Sequence, residues 1–450
     1  FTPEPDAAFL AQYCDEIGVP RRHVLTGGRY TYRNGDIVLA LYQEYLRSGD
    51  GTLDDFARVH SQVFADVSIS HAPVSRGLGH YYCDWFGNPY VYQRFEGLLL
   101  GALVTGDTWW FETARDMADY CVRAWQDGEP RDGSVHGGYG GVQYRSPYIA
   151  KMLLRMYEVT GDSAYTDAAA RLAEWIMPRQ EAEGWWRDTP NATREYRNSP
   201  IFAGYACMGL WPLYHATRNT RLLDTLLKAV EFQWSMQEDA QGKNPGAFPN
   251  SYWYRAKEGP TSTTPIPETI EIEGNYAVTS HWADNLLNAY LATGDLKYFY
   301  SANAAWVDVL NHQTAEGGVP LSNSTLNSVW SHVMIEALPH FAAVAEEHRL
   351  PIVLDSKTGV PGTSFMGKGA TYEDDVFQFG LKYRHAAPVP VRVFFPAGLP
   401  AEVKIDSATR AFEWDSDARV VTFDMPPSDA FRAVVCAVYR ASASSSSQQR

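Results

Sequence analysis

At 450 residues, 45% hydrophobic and 20% charged, the chain can bury a sizeable core, is long enough for two domains and is not disordered. A net charge of −15 argues against non-specific binding to nucleic acid, and no apolar run reaches the length of a membrane span. Cys14, Cys83, Cys121, Cys207 and Cys436 are scattered, odd in number and without metal-like spacing, so they read mostly as buried thiols and not as a disulfide framework.

No signal peptide is expected within these residues; the start at Phe1 is expected to reflect a removed leader or tag, and a secreted or periplasmic location is expected over a cytoplasmic one. The opening 35 residues are expected to hold a helix near Asp6 to Ile17 and then an Arg- and Tyr-rich loop running to Asp36. That loop is expected to pack on the helices, with substrate contact through Arg29, Tyr30 or Arg33 as the alternative.

The stretch from Arg76 to Asp107 organises the rest. A glycine-broken loop carries His80, Tyr81, Asp84 and Trp85, and a helix is predicted from Pro89 or Tyr90 to about Val104. This helix begins polar and aromatic (Tyr90, Tyr92, Arg94, Glu96) and ends apolar (Leu98, Leu99, Leu100, Leu103). It stops at Thr105-Gly106-Asp107, where Gly106 suits a left-handed C-cap and Asp107 suits the N-cap of the next helix.

Related turns stand at Ser48-Gly49-Asp50, Thr160-Gly161-Asp162, Thr217-Arg218-Asn219 and Thr293-Gly294-Asp295. By residue number, the five turns are 57, 55, 57 and 76 apart. Each follows an apolar helix and precedes an amphipathic one, such as Thr108 to Val122 or Ser163 to Ile176, which is the pattern of stacked helical hairpins. A sixth inner helix fits Asn327 to Glu346, and the helix near Asp6 to Ile17 supplies the missing outer partner. Six inner and six outer helices predict a mainly α fold, an (α/α)6 toroid, over residues 1–349.

The inner-to-outer turns are short, whereas the outer-to-inner connections are long: roughly 67–89, 125–143, 177–197, 237–273 and 311–325. Long loops inside a compact domain usually carry function, so the site is expected where these loops meet the N-terminal ends of the inner helices. No lysine occurs before Lys151, and arginines gather in the long loops, among them Arg76, Arg131, Arg179, Arg187, Arg194, Arg197 and Arg255. The same loops carry Trp85, Trp125, Trp185, Trp186 and Trp253. Arginine forks and aromatic rings together suggest a carbohydrate cleft for an acidic sugar, although any single arginine reads first as a surface ion pair.

The second loop places five glycines around His136 and Tyr139, where the backbone can approach a ligand, and leads through Tyr144 and Arg145 into the third inner helix. The third leads through Arg197 and Asn198 into the fourth inner helix. The fourth holds Trp253, Glu268, Glu271 and Glu273, then Tyr276 and His281. Those glutamates suit helix capping or calcium about as well as catalysis; otherwise no cofactor is expected. Trp330 and His332 belong to the sixth inner helix, where a lone histidine is usually a core residue.

From about Leu350 alternating runs (VFQFGLKY, VRVFFP, AEVKID, ARVVTFDMP, AVVCAVY) predict a small antiparallel β-sandwich domain over residues 350–440, packed on the toroid, before a low-complexity tail over 441–450.

The segment His80, Asp84-Trp85, Glu96-Gly97-Leu98-Leu99 and Thr105-Gly106-Asp107 resembles the toroid of exo-acting rhamnogalacturonan lyase-like proteins over about 30 residues. The resemblance implies a carbohydrate-active enzyme, either a polysaccharide lyase or a glycoside hydrolase; it carries over the class and not the linkage. The expected partner is an acidic poly- or oligosaccharide, with neither nucleic acid nor membrane. A lyase needs a base and an acid around C5 of a uronate, with cationic or amide groups on its carboxylate. The expected base is His80 or His136, and the expected acid Tyr81, Tyr139 or Tyr144. Arg145 and Asn198 are assigned to the carboxylate, and Asp84, Trp85, Arg94, Trp253, Tyr276 and His281 to substrate binding. A hydrolase would instead pair Asp84 with Glu271 or Glu273. A non-catalytic sugar-binding protein would need the aromatics alone.

Overall fold

The computed structural model describes residues 31–69, 71, 73, 76–77, 94–124, 148–186, 195–198, 200–237, 248, 252–256, 263–265, 276–311, 331–354 and 363–440. The chain divides into two compact units. The first takes residues up to Ala229 together with Tyr254–Pro265 and Val329–Glu336; the second takes Val230–Trp253, Ile266–Ser328 and Ala337 onward.

The first unit is built from helical hairpins. Helices α1 (Thr31–Ser48) and α2 (Gly51–Val67), α3 (Glu96–Thr105) and α4 (Thr108–Ala124), and α5 (Tyr148–Thr160) and α6 (Ser163–Ile176) form three of them. Helix α7 (Pro200–Thr217) leads by the same turn into α8 (Thr220–Met236). The first helix of each hairpin packs against the first of the next, α1 on α3, α3 on α5 and α5 on α7. The second helices do likewise, α2 on α4 and α4 on α6. In the second unit α9 (Tyr276–Thr293) pairs with α10 (Leu296–Asn311), and most of α11 (Ser331–Glu347) follows.

One chemical device makes every hairpin turn. At the end of the inner helix a hydroxyl donates back to a carbonyl one turn earlier: Ser48 to Glu44, Thr105 to Gly101, Thr160 to Met156, Thr217 to Leu213 and Thr293 to Ala289, at 2.7–2.8 Å. The next residue is left-handed, with φ between 54° and 77°. The residue after it donates its N–H to the hydroxyl and uses its own side-chain oxygen to cap the outer helix, as Asp107 does for the N–H of Trp109 at 2.9 Å. Orphan carbonyls and orphan amides are thereby satisfied together. Glycine fills the left-handed position in four turns; Arg218 fills it in the fifth.

Two predicted boundaries shift. Helix α1 already runs from Thr31, through what the sequence reads as loop up to Asp36, because its buried stripe (Val38, Leu39, Tyr42) extends a helix that tolerates Gly35. Helix α3 starts at Glu96, not near Tyr90; Arg94 and Phe95 precede it as buried, non-helical chain. The helix expected at Asp6 to Ile17 and the tail over 441–450 lie outside the described residues.

The C-terminal region forms two antiparallel sheets. Strands β1 (Glu195–Asn198), β2 (Tyr252–Ala256) and β3 (Thr263–Pro265) come first and join into a small separate sheet made from the long connections, which the sequence does not announce. Then β4 (Ile352–Val353), β7 (Val389–Phe394), β10 (Glu413–Asp415) and β11 (Val420–Met425) make a four-stranded sheet in the order β10-β11-β7-β4. The five-stranded sheet runs β5-β6-β12-β8-β9, from β5 (Thr363–Glu373), β6 (Val376–His385), β8 (Pro400–Ile405), β9 (Ala408–Arg410) and β12 (Ser428–Arg440). Alternation along β6 buries Phe377, Phe379, Leu381 and Tyr383 while Gln378 and Arg384 stay exposed.

These strands are tied to α10. The Asn303 amide donates to the Val353 carbonyl at 2.8 Å and its oxygen accepts the Val353 N–H at 3.0 Å, so one side chain takes the place of a neighbouring strand for β4. At Gly367 of β5 a Cβ would stand 2.3 Å from the Tyr300 carbonyl, so only glycine allows this approach. Consequently α10 is buried all round from Tyr298 to Val309.

Gly161→Ala should lower stability by about 1–2 kcal/mol, since its φ of 71° penalises a side chain. Asp162→Ala should cost about 1 kcal/mol through the lost cap. Both are read as a shifted denaturant midpoint at constant m-value. Asn303→Ala strands a buried N–H and a buried C=O, and should cost about 2–4 kcal/mol by the same measurement.

Candidate functional site

Because each described inner helix is followed by a left-handed residue, distance from that residue gives a common count along each helix. Counting back thirteen positions from Gly161, Arg218 and Arg349 reaches Tyr148, Tyr205 and Glu336. The same count from Gly49 and Gly106 reaches Asp36, whose side chain is outside the described residues, and Gln93, also outside them and next to Arg94. In the second unit, counting from Gly294 reaches His281. Apolar helices thus carry polar and aromatic side chains at one register, towards the ends that receive the long connections.

In the first unit these residues converge. Arg94 is buried with its guanidinium 5.0 Å from the Tyr148 ring and 4.9 Å from the Tyr205 ring, which themselves meet edge to face at 5.1 Å. One turn into α5, the Lys151 ammonium donates to both oxygens of Glu336 at 2.6 and 2.7 Å and lies 3.6 Å from Glu96. Arg155 reaches Glu96 at 3.7 Å and Glu158 at 2.8 Å. Side-chain exposure is graded: 6% for Lys151, 9% for Glu96 and 28% for Glu336. The ion pair is therefore anchored in the interior, with Glu336 its partly exposed member.

Burial alone would push the Lys151 pKa down. The carboxylates of Glu336 and Glu96 outweigh that effect and hold it well above the ordinary lysine value. Lys151 is therefore a fixed charge at neutral pH, not a base. Among the described residues the cluster offers a cation against two touching rings, a fixed ammonium and two carboxylates, a set suited to sugar rings and their polar groups.

In the second unit Thr279, Ser280, His281, Trp282 and Asn285 are buried on α9, with Thr279 accepting the Phe248 N–H at 3.2 Å. His281, expected to bind substrate, has no exposed surface. Arg94, expected to do the same, is the buried guanidinium above. Asn198, Trp253 and Tyr276 lie in β1, β2 and the first turn of α9, their side chains outside the described set. His80, Tyr81, Asp84, Trp85, His136, Tyr139, Tyr144 and Arg145 are outside it too, as are Glu268, Glu271, Glu273 and Trp330.

Several expected rim residues have structural places instead. Trp185 and Trp186 are fully buried where the chain folds back after α6, with Gln180 bridging to Trp186 and the Trp186 indole donating to the Ile176 carbonyl at 3.2 Å. Arg76 pairs with Asp116 of outer helix α4 at 2.6 Å, and Arg179 stacks 4.5 Å from the Trp175 ring while donating to the Trp175 carbonyl. Cys121, Cys207 and Cys436 are buried free thiols, pushed to high pKa by burial. Among the described residues no His, Cys, Asp and Glu cluster could hold a metal, and no helix is long and apolar enough to cross a membrane.

Sequence reading missed Lys151, Glu336, Tyr148 and Tyr205. Two signals were present: Lys151 is the first lysine of the chain, and Lys151 and Glu336 each interrupt an apolar run, Tyr148 to Leu154 and Val333 to Leu338.

Neither a family model nor a curated protein matches the sequence. The backbone is similar to α/α toroid enzymes of known structure. Unsaturated glucuronyl hydrolase from Bacillus sp. GL1 aligns with a TM-score of 0.52 and 15% identity, covering 69% of this chain and 86% of that one. A polysaccharide lyase aligns at 0.51 and 11% identity, covering 74% and 98%. Cellobiose 2-epimerase from Bacillus thermoamylovorans aligns at 0.51 and 11%, covering 75% and 100%. At this identity the shared property is the fold.

Lys151→Met should cost about 3 kcal/mol at neutral pH, because it leaves two largely buried carboxylates without their ammonium. The native Lys151 pKa is raised, so its stabilisation is complete below the unfolded value of about 10.4 and is lost as pH climbs through the higher native value. Denaturant midpoints measured from neutral to about pH 11 should therefore fall more steeply for the wild type than for the variant.

Proposed function

We propose that the chain is a carbohydrate-processing enzyme, a polysaccharide lyase that cleaves a uronic-acid-containing polysaccharide or oligosaccharide by β-elimination. The reading includes closure of the hairpins into an (α/α)6 ring and stacking of the two C-terminal sheets as a sandwich. Its main support is the buried convergence of Arg94, Tyr148, Tyr205, Lys151 and Glu336 towards the N-terminal ends of inner helices. That support is joined by the fold held in common with a lyase and a glucuronyl hydrolase.

In this chemistry His80 or His136 removes the C5 proton of the uronate, with Arg145 and Asn198 on its carboxylate stabilising the developing charge. The electron pair forms the C4–C5 double bond as the C4–O bond breaks, and Tyr81, Tyr139 or Tyr144 protonates the departing oxygen. A second reading is a glycoside hydrolase. It draws on Glu96 and Glu336, two carboxylates held on one ammonium, besides the pairing of Asp84 with Glu271 or Glu273.

Incubation with a panel of acidic polysaccharides should produce the ultraviolet absorbance of an unsaturated uronate. New reducing ends without that absorbance would select the hydrolase, and binding without either product would select a sugar-binding protein. On the substrate so found, alanine at the histidine base should lower kcat/KM by about 100-fold or more. A sugar-binding protein would lose only modest affinity.

A further inference from the structure

We propose that Trp109, with Asp66 and His71, is a second carbohydrate contact on the outer helices, a platform for one pyranose unit of a glycan chain. It uses none of the residues assigned to the chemistry and shares with the proposed function only the class of ligand.

Trp109 is restrained at both its backbone and its ring. Its backbone N–H is capped by Asp107, and its indole Nε1 donates to Asp66 Oδ1 on α2 at 2.8 Å. Asp66 Oδ2 in turn accepts from the Gln62 amide at 2.6 Å, and Gln62 Oε1 accepts the Trp110 indole N–H at 3.4 Å. Trp110 is only 3% exposed, so this hydrogen-bonded chain runs from the core to the surface. His71 lies against the indole, with ring centroids 4.8 Å apart and 35° between the planes. Its own ring is held by Nε2, 2.8 Å from the Ala65 carbonyl. A carbonyl only accepts, so Nε2 carries the proton and Nδ1 of the neutral ring is an acceptor.

In spite of these restraints, 41% of Trp109 is open to solvent. A ring that served packing alone would be buried, as its neighbour Trp110 is. A rigid, exposed indole offers a flat apolar face and loses little side-chain freedom when a ligand settles on it. A pyranose ring presents C–H groups on its face and hydroxyls around its rim. The face fits the indole. The hydroxyls are donors for the two acceptors beside it, the Asp66 carboxylate at the indole edge and Nδ1 of the exposed His71. A protein partner needs about 800 Å² on each side, more than one indole offers, whereas a single sugar unit does not.

The test is hydroxyl-radical oxidation of the full chain, read residue by residue by mass spectrometry, with and without soluble glucans, mannans, galactans, arabinans and polyuronates. At least one polysaccharide should slow oxidation of Trp109 about threefold or more. Leu399, 58% exposed in the other unit, serves as the reference for radicals consumed by the sugar itself. In gel retardation by the same polysaccharide, Trp109→Ala should weaken binding by about tenfold, and Trp109→Phe should recover part of the loss.

Unchanged oxidation of Trp109 with every polysaccharide overturns the site. So does protection that appears with rising protein concentration and no sugar, which would assign the indole to a second copy of the chain. Product formation without protection of Trp109 removes this site and leaves the proposed function standing; protection without any product does the reverse.

Discussion

The rest of the structure depends on the hairpin turn in which a hydroxyl, a left-handed residue and an Asx cap succeed one another. It satisfies the C-terminal carbonyls of one helix and the N-terminal amides of the next within three residues. Within the first unit four turns share this geometry, so residues equally far from their turns stand at corresponding places along neighbouring helices. Tyr148 and Tyr205, 57 positions apart and each thirteen residues before its turn, meet edge to face for that reason.

Placing ions at that level is costly, because a buried ammonium loses its hydration and recovers it only through partners of good geometry. Lys151 has such partners in Glu336 and Glu96, contributed by two other helices, so the charge is stable but immobile. An apolar replacement of similar volume would fill the space with less electrostatic risk. The charge therefore fits better with binding or catalysis than with packing alone, which is the physical ground for treating this level as the site.

Much of the fold was legible in the sequence because its signals are local. Each Thr-Gly-Asp or related turn states its own conformation, and the runs VFQFGLKY, AEVKID and AVVCAVY state theirs by alternation. Strand β5 was not legible, since Gly367, Lys368 and Gly369 break the alternation for the sake of close contact with α10. Trp185 and Trp186 misled for a related reason: composition marks them as loop aromatics, while a tight return after α6 buries both. The Lys151–Glu336 pair spans 185 residues, and no local pattern encodes it.

Helix α10 has a further consequence for the newly made chain. Its Phe299, Tyr300, Trp306 and Val309 have no solvent-facing side to retreat to, and part of their cover is supplied by strands encoded 40 or more positions later. During synthesis this helix emerges before β4 and β5 exist, so the growing chain carries an unmatched apolar flank until residues 352–373 have been made. The order of elements along the chain thus sets an interval in which the protein is most prone to aggregation or capture by a chaperone, and the C-terminal strands close that interval.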